Sequence, residues 1–458
     1  MFSSGKSLVV ANAEKIFSRL DISCSSAISM LTSLFCVLPS RNSADEASVF
    51  SLDEGTLLRI FGFLPLRDLL RACQVCRLWY RLSHDLTLCK TTDLRRFSKS
   101  LEDPKKFQAI VLNRLAEKIH CLDLSGFVLT EESLRVLATH CKKLRVLKLR
   151  SVTFAENCTK SASKETVIFP KHLECLDIRY SHGSPRVYRA IGKELGNLKW
   201  LGLCDAFIQA LLSEDCLEKT IDSMKYLRKL DFSHCLLLKD STLTLFARCK
   251  KLEVLSVRRC SFLTGAFVED FLDSCTKLKT LILDGISLDD ETLQQITWRY
   301  SSLKHLELGW CRFITPVGLN VALPRIARIK TLEYLGLCAI GDEKALDDNI
   351  LLEFGASLSR WGSKKLQSLN VSRSRSLTQA GVDKFHRACS YIKMLDTTVC
   401  PAIKHCSTKG IKEHQDEVFH DNDDTFLIAR VGVPTRRRNG SISATQFARS
   451  KYVLETPL

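Results

Sequence analysis

The chain has 458 residues, of which 45% are hydrophobic, 20 are glycine and 10 are proline. This composition excludes a mostly disordered chain, which would be less apolar, and a collagen-like or linker-like chain, which would hold more Gly and Pro. The length allows two or three ordinary domains, or one repeat array with a small extra module. No apolar run reaches about 18 residues, so we expect no membrane-spanning helix.

Lys and Arg outnumber Asp and Glu by 67 to 51, which gives a formal net charge of +16. An excess of +12 lies in residues 96–398, whereas residues 1–48 are neutral and the segments 49–95 and 399–458 are each +2. A basic folded region favours an acidic or phosphorylated protein partner. A solvated, lysine-rich surface explains the charge equally well. No motif indicates a nucleic-acid partner, and we expect none.

Residues 1–48 predict a flexible leader. Apolar residues from Val9 to Leu20 are spaced like one face of a helix, opposite basic side chains, as in a transit peptide. Glu14 and Asp21 argue against that interpretation, because transit peptides contain few acidic residues. The apolar stretch at residues 27–38 is too short to cross a bilayer. A partner-binding or disordered leader is therefore expected.

Residues 49–95 predict a small module of three short helices. The apolar residues recur at helical spacing, and Leu64-Pro65 predicts the end of one helix and the start of the next. Cys73 and Cys76 have the spacing of a redox or zinc pair, but no second pair lies nearby, so packed thiols are expected. A module of this size holds little core by itself, so we expect it to lean on a partner or on the rest of the chain.

The sequence of this module resembles the F-box over the string LDEGTLLRIFGFLPLRDLLRACQVCRLWYRLSHDLTLCKTTDL. Two residues depart from the F-box pattern: Asp53 stands where Pro is usual, and Cys89 stands where Trp is usual. The resemblance implies that the module docks on a Skp-type adaptor. The adaptor-binding positions that it implies are Leu52, Ile60, Leu64, Pro65, Leu69, Val75 and Trp79.

A repeat runs through residues 119–398, after a segment at 96–118 that we predict to be a connecting helix. Each repeat has an apolar residue, two variable residues, Leu, one variable residue and a second apolar residue, which predicts a short strand. The spacing between repeats is 25 to 34 residues. The eleven repeats begin at Ile119, Leu144, Leu173, Leu198, Leu227, Leu252, Leu278, Leu303, Leu332, Leu366 and Ile392.

Two further features share the register of these repeats. Cys lies three residues before or eight residues after the first apolar position, as Cys275 and Cys260 do. Thr or Asp after an apolar residue predicts a helix N-cap in five repeats. The predicted caps are Thr130, Thr264, Asp289, Thr315 and Thr378. The array therefore resembles the cysteine-containing class of leucine-rich repeats, which predicts an α/β solenoid with parallel strands inside and helices outside.

An F-box followed by such repeats resembles the F-box/leucine-rich-repeat family. The resemblance implies a non-catalytic substrate receptor of an SCF-type cullin–RING ubiquitin ligase, in which the Skp-type adaptor joins the F-box to the cullin–RING core. It implies no cofactor. Two other functions stay open: a repeat scaffold or inhibitor that binds a partner without ubiquitylation, and, by analogy with plant hormone receptors of this family, a receptor for an inositol polyphosphate.

The strand register predicts which side chains form the concave face of the array. Large aromatic side chains there are not needed for packing, and arginines there would bind an acidic or phosphorylated protein segment. The predicted substrate-binding residues are Trp200, His305, Trp310, Tyr334, Arg150, Arg179 and Arg258. Packing of Trp200 on a neighbouring strand, and solvation of the arginines, are the alternatives.

Twenty cysteines without a clear secretory signal predict a cytoplasmic or nuclear protein with buried thiols rather than disulfides. Residues 399–458 predict a basic, polar tail that is disordered or caps the array. Arg436 and Arg438 precede Ser441 at the spacing of a basophilic kinase site. We expect no metal site, although a loose cluster leaves zinc as a weaker alternative. Its members are Cys400, His405, Cys406, His414 and His420.

Overall fold

The computed structural model describes residues 52–64, 66–85, 87–88, 90–116, 118–155, 169–183, 185–204, 221–298, 301–361 and 364–404, and the pairs 427–428 and 454–455. The chain divides into two compact units, residues 1–405 and residues 406–458. Within these described ranges, no helix is both long enough and apolar enough to cross a membrane.

Twelve strands of three residues each form one sheet in which every neighbouring pair is parallel and follows the order of the chain. They are β1 Thr91–Asp93, β2 Cys121–Asp123, β4 Val146–Lys148, β6 Cys175–Asp177, β8 Trp200–Gly202, β9 Lys229–Asp231, β10 Val254–Ser256, β11 Thr280–Ile282, β12 His305–Glu307, β13 Tyr334–Gly336, β14 Ser368–Asn370 and β15 Met394–Asp396. Equivalent residues of successive repeats pair, so Leu255 lies between Leu230 and Leu281. The predicted α/β solenoid is confirmed.

A second, smaller sheet follows three of the early turns. Its strands are β3 Val128–Leu129, β5 Thr153–Phe154 and β7 His182–Gly183, and they also pair in parallel. The three strands lie nine residues after the starts of their repeats, so the same repeat register that builds the main sheet builds this one.

Twelve helices are described in the first unit. The N-terminal module contains α1 Glu54–Gly62, α2 Leu66–Ala72 and α3 Arg77–Ser83. The others alternate with the strands: α4 Pro104–Ile110, α5 Glu131–His140, α6 Pro185–Glu194, α7 Asp240–Phe246, α8 Val268–Ser274, α9 Asp290–Gln295, α10 Pro316–Ile326, α11 Asp348–Trp361 and α12 Gln379–Ala388. Each helix of the array covers apolar side chains that its own strand cannot cover.

The core of the array is a ladder of apolar side chains. In each repeat the first, fourth and sixth residues of the pattern point away from the concave face, as Leu252, Leu255 and Val257 do, and all three are fully buried. One repeat cannot bury these side chains alone, so their burial requires the stack.

Aspartates connect successive repeats at the helix starts. Asp290 is the first residue of α9, and its Oδ1 accepts a hydrogen bond of 2.8 Å from the backbone N–H of Thr315 in the next repeat. Asp348 accepts an equivalent bond, also of 2.8 Å, from Thr378. Each threonine in turn caps its own helix, because Thr315 accepts from the N–H of Val317. The predicted N-caps at Thr130, Asp289, Thr315 and Thr378 are confirmed.

The predicted N-cap at Thr264 is wrong. Helix α8 begins four residues later, at Val268, after Phe267, whose side chain caps nothing. The backbone N–H groups of Thr264 and Gly265 instead donate to the carboxylate of Asp240, each at 3.0 Å. A turn held by the preceding repeat replaces the first turn of the helix.

The sheet begins earlier than the repeat pattern predicts. Strand β1 lies inside the range assigned to the F-box and pairs in register with β2. Residues 96–118 are not one connecting helix: 3-10 turns precede α4, which is capped by Asp103 and continues into a π-helical turn at Val111–Leu115. Strand β1 and helix α4 form a twelfth repeat. The pattern misses it because Thr92 stands at the buried position where the other repeats have Leu.

In the twelve-stranded sheet, each strand from β2 onward, β8 apart, is followed by a turn that ends in a residue of left-handed backbone conformation, seven residues after the start of the repeat. The turn after β8 lies outside the described residues. These residues are Gly126, Ser151, Tyr180, His234, Arg259, Gly285, Trp310, Ala339, Arg373 and Val399. Except in Val399, which lies in the last repeat, their backbone N–H groups donate to the next repeat, as Trp310 does to the carbonyl of Cys338 at 2.8 Å. The conformation costs about 1–2 kcal/mol for a residue with a Cβ, and the hydrogen bonds between repeats offset this cost.

The second unit is described only where two short strands meet. Leu427–Ile428 (β16) pairs antiparallel with Leu454–Glu455 (β17). Residues 399–404 of the predicted tail are described as part of the array. Apart from these residues and the two strands, the tail, including Ser441 and four members of the Cys/His cluster, lies outside the described residues. Cys400 is described and buried, and its Sγ donates to the carbonyl of Val371 at 3.4 Å, so it packs in the last turn of the array.

Candidate functional site

The three-helix module has a core of its own. Trp79 meets Phe61 edge to face, with ring centroids 5.0 Å apart. The buried cluster contains Leu57, Ile60, Phe61, Leu64, Leu69, Ala72, Trp79 and Leu82. All of these residues belong to the module, so it has a small core of its own, and the expectation that it also leans on a partner or on the array stays a prediction.

Asp53 explains one departure from the F-box pattern. It is the N-cap of α1, and its Oδ1 accepts a hydrogen bond of 3.0 Å from the backbone N–H of Thr56. The hydrogen bonds from the side chain and the backbone of Thr56 lower the pKa of Asp53 below its ordinary value. An ionised Asp at this position starts the helix by accepting a free N–H and by favourable interaction with the helix dipole.

The structure separates the predicted adaptor-binding residues into two groups. Ile60, Leu64, Leu69 and Trp79 are buried in the core of the module, and their role in adaptor binding stays a prediction. Leu52 and Val75 are half-buried and pack on the outside of that core. Pro65 lies outside the described residues.

Other apolar side chains of the module stay accessible. Phe63 and Tyr80 are exposed, and Leu58 and Leu78 are half-buried against the core. Helical spacing indicates that these helices have an apolar face, but in helices of seven to nine residues it does not tell which apolar residue points inward.

The early concave face is a network of paired charges centred on Asp177. Its carboxylate accepts hydrogen bonds from Arg150 and from Arg179, whose Nε and Nη2 both lie 2.9 Å from its oxygens. Arg179 also approaches Asp231, with 3.5 Å between Nη1 and Oδ2. Burial acts to lower the pKa of Arg179, but Asp177 and Asp231 more than offset it, so the pKa is raised. Arg179 and Asp177 are almost fully buried.

Trp200 is buried in the same part of the face. Its side chain lies over Gly202, where a Cβ would come within 2.5 Å of the indole. The guanidinium of Arg179 lies 5.3 Å from the ring centroid. Only 4% of Trp200 is exposed. The expectations that Trp200 projects freely and that Arg179 is available to an acidic segment are therefore corrected: both pack against their own sheet.

Arg258 is also engaged within the array. Its Nη2 lies 3.1 Å from Oδ2 of Asp284, one repeat further on. Burial, and secondly the nearby charge of Glu307, raise the pKa of Asp284 to about 7. Oδ1 of Asp284 has no hydrogen-bond partner in the described part of the chain. The predicted arginines thus neutralise carboxylates of the concave face.

The aromatic residues of the later repeats stay closer to solvent. His305 and Tyr334 are half-buried and stack face to face, and Nε2 of His305 lies 3.4 Å from Oε1 of Glu307. Trp310 is 40% exposed at a left-handed turn, and the guanidinium of Arg373 lies 5.3 Å from its ring centroid. These three are the predicted aromatic residues that the structure leaves accessible, and their role in binding a substrate stays a prediction.

The cysteines of the array form a second ladder. Each Cys at the eighth position donates its S–H to a backbone carbonyl of the preceding repeat, as Cys260 does to Phe232 at 3.2 Å and Cys311 to Leu283 at 3.4 Å. Burial raises the pKa of both thiols to about 12. All cysteines of the described residues are free thiols, and those residues contain no metal-binding cluster.

Sequence reasoning missed a group of exposed apolar side chains on the turns that follow the strands. Leu236, Leu237, Phe262 and Phe313 are each more than half exposed. They lie nine or ten residues after the start of their repeats, beyond the strand pattern. In these repeats two exposed residues lie between the buried cysteine and the next buried apolar residue, as between Cys260 and Leu263. This spacing is visible in the sequence and could have predicted the exposed side chains.

Comparison with known proteins agrees with this architecture. The F-box-like family profile matches residues 54–95. The chain is 23% identical over 301 residues to F-box/LRR-repeat protein 12 of Mus musculus and of Homo sapiens, which covers 66% of this chain and 67% of each of those proteins. It is also 37% identical over 107 residues to PRAME family member 19 of Homo sapiens, which covers 22% of each chain.

Two solved structures are similar over most of the chain. An internalin (inlF) from Listeria monocytogenes superposes with a TM-score of 0.38 and 12% identity, covering 68% of this chain and 92% of that one. A chain of the yeast complex of Rad7 and Elc1 superposes with a TM-score of 0.42 and 18% identity, covering 72% and 90%. The F-box-like match at residues 54–95, the parallel repeat sheet and the likeness to F-box/LRR-repeat protein 12 together give the arrangement of the F-box/leucine-rich-repeat proteins.

Proposed function

We propose that this chain is a non-catalytic substrate receptor of an SCF-type cullin–RING ubiquitin ligase. The F-box-like module binds a Skp-type adaptor, through which the cullin–RING core joins, and the repeat array binds a protein substrate. The observation that carries the proposal is the module itself, which matches the F-box-like profile, folds around its own core and keeps apolar side chains at its surface.

The junction between module and array supports this role. The carbonyl of Lys90 accepts hydrogen bonds from the backbone N–H groups of His120 and Cys121, at 2.8 and 2.9 Å. The next residues form β1, the first strand of the sheet. The chain is thus tied to the array directly before β1, which suits a receptor that holds a substrate at a set distance from the adaptor.

The contribution of the chain in this proposal is proximity. A substrate held on the array presents its lysines at high effective concentration to a ubiquitin-loaded enzyme. A wide, preformed repeat surface suits a protein partner better than a small molecule, which binds in a deep pocket.

The test is binding of the purified full-length chain to a Skp-type adaptor, measured by calorimetry. Leu52→Asp and Val75→Asp change half-buried residues that lie outside the central cluster, and each should weaken binding at least about tenfold, because a carboxylate would be desolvated in an apolar contact. Tyr226→Asp, at an exposed aromatic residue of the array, is the matched control and should bind like the wild type. Circular dichroism verifies that the variants remain folded.

Failure of the wild type to bind the adaptor would remove the basis of the proposal. Adaptor binding without transfer of ubiquitin to any captured partner, in a reaction reconstituted with the cullin–RING core, would favour the scaffold or inhibitor instead.

A further inference from the structure

We propose that the rim of the array carries a groove that binds an extended protein segment in which a bulky apolar residue stands next to an acidic one. The groove lies on the turn of the repeat that starts at Leu278, between the turns of the two neighbouring repeats. It deepens the proposed function by naming the substrate site and the chemistry of the substrate segment. We call it the rim groove, and its residues are Arg259, Phe262, Gly285, Ser287, Trp310 and Phe313.

The floor of the rim groove is low because the turn of this repeat is short. Between the buried residues Cys260 and Leu263 the preceding repeat has two exposed residues, whereas only Ser287 stands between the buried Ile286 and Leu288. Ser287 is tied to the preceding turn, since its N–H donates to the carbonyl of Leu263 at 2.8 Å and its Oγ donates to the carbonyl of Ser261 at 2.7 Å.

Gly285 extends this floor towards the concave face. It occupies the left-handed position that Arg259 and Trp310 occupy in the neighbouring repeats. A Cβ on Gly285 would lie 3.3 Å from Cγ of Arg259 and 3.7 Å from Cβ of Trp310. The two side chains therefore stand directly beside the space that the glycine leaves open.

The walls of the rim groove are large and exposed. Phe262 is 63% exposed, Phe313 is 54% exposed and Trp310 is 40% exposed. Three exposed aromatic residues on the two turns that flank the Leu278 repeat exceed the isolated apolar residues that are normal on a surface, and aromatic side chains of this kind are the usual anchors of protein interfaces. The walls stand two repeats apart, about 10 Å at the strand spacing, which is the space that one extended chain occupies.

Two exposed arginines, Arg259 and Arg312, border the rim groove. Burial raises the pKa of Asp284 and the charge of Arg259 acts to lower it, but the direct ion pair of Asp284 is with Arg258. The exposed Asp289, which pairs with Phe313 in a β-bridge, accepts a hydrogen bond from the N–H of Thr292 as the N-cap of α9. A segment that brings its own carboxylate would complement Arg259, whereas a basic segment would be repelled.

The probe is a phage-displayed library of short random peptides, selected on the full-length protein. We expect selected peptides to carry Phe, Leu or Trp beside Asp or Glu. Synthetic peptides of the selected sequences are then measured by fluorescence anisotropy. Binding should weaken with added salt, because an exposed charge pair contributes to it.

The variants separate binding from folding. Phe313→Ser and Arg259→Glu change exposed side chains, and each should weaken peptide binding about tenfold or more. Trp310→Gly removes one wall and also relieves a left-handed backbone, so it should weaken binding without lowering the melting temperature. Tyr226→Ser removes an exposed aromatic side chain that precedes strand β9, whereas the rim groove lies on turns that follow the strands. This change should leave binding unchanged.

Three results would contradict the rim groove as a site for an acidic segment. The library could yield basic peptides, it could yield no peptides, or peptide binding could survive these changes. Binding of anionic lipid vesicles that is lost in the same variants would assign it to a membrane instead and would also overturn the proposal. Adaptor binding, measured on the same proteins, separates failure of the proposed function from failure of the rim groove. Absence of adaptor binding in the wild type refutes the proposed function, whereas the peptide measurements alone decide whether the rim groove is a binding site.

Discussion

His305 and Tyr334 stack face to face across neighbouring strands, with ring centroids 4.1 Å apart and ring planes 6° apart. The parallel register of β12 and β13 pairs the two residues directly, so the stack follows from the repeat register. Two flat side chains that cover each other bury apolar area and still present one edge of each ring to the concave face.

The stack should contribute measurable stability. In a double-mutant cycle with His305→Ala and Tyr334→Ala, we expect a coupling of about 0.5–1.5 kcal/mol in the free energy of unfolding, the range for aromatic pairs. Urea unfolding of the three variants measures it. Additive effects of the two single changes would show that the rings are adjacent but do not stabilise each other.

Trp200→Ala should destabilise the fold. The indole is buried against Gly202 and beneath Arg179, so its removal opens a cavity and leaves a buried guanidinium without its aromatic neighbour. We expect a loss of about 3–5 kcal/mol, measured by urea unfolding. A variant that keeps full stability and loses only substrate capture would restore Trp200 to the binding surface.

The thiols of the cysteine ladder should react only after unfolding. Burial raises the pKa of Cys260 and Cys311 to about 12, so almost no reactive thiolate is present at neutral pH. Among the cysteines that the structure describes, the half-buried Cys73 and Cys76 should be alkylated first when the native protein is treated with iodoacetamide and digested for mass spectrometry. Equally fast labelling of Cys260 in the native state would contradict the burial of the ladder.

Asp284 should make the array less stable as the pH rises. Its pKa is raised from 3.8 to about 7 in the folded chain, so between these values the folded state binds a proton that the unfolded state has lost. The stability contributed by that proton is present at low pH and disappears as the pH passes through about 7. Asp284→Asn should remove this dependence and stabilise the protein at pH 8 by roughly 1–2 kcal/mol. Thermal unfolding from pH 5 to pH 8 tests it, and an unchanged slope in the variant would contradict the assignment.

Val399→Gly should stabilise the last turn of the array. Val399 has φ of 62°, a conformation that is strained for a β-branched residue, and 61% of it is exposed, so little packing is lost with the side chain. We expect a gain of about 1 kcal/mol in the free energy of unfolding. Val317→Gly is the matched control: this exposed valine lies in helix α10, where glycine should cost about 1 kcal/mol. Destabilisation by both changes would show that the left-handed turn is not strained.

Much of the architecture could be predicted from the sequence alone. The LxxLxL pattern determines the strands and their register, because alternate residues of a strand face opposite sides and the apolar side must enter the stack. The helix starts at Thr315 and Thr378 follow from local chemistry, since a capping side chain binds the backbone of its own turn. The positions of the buried cysteines follow from the same register.

Tertiary structure alone decided which side chains of the predicted surfaces are free. Arg179 reaches Asp231 and the ring of Trp200, and Arg150 reaches Asp177, because the sheet brings residues of separate repeats within contact distance. In the F-box-like module, Trp79 and Leu64 turned inward because three short helices close on their own core. The rim groove arises from a turn that is one residue shorter than its neighbours. Its spacing is visible in the sequence, but its exposed walls depend on how adjoining repeats stack.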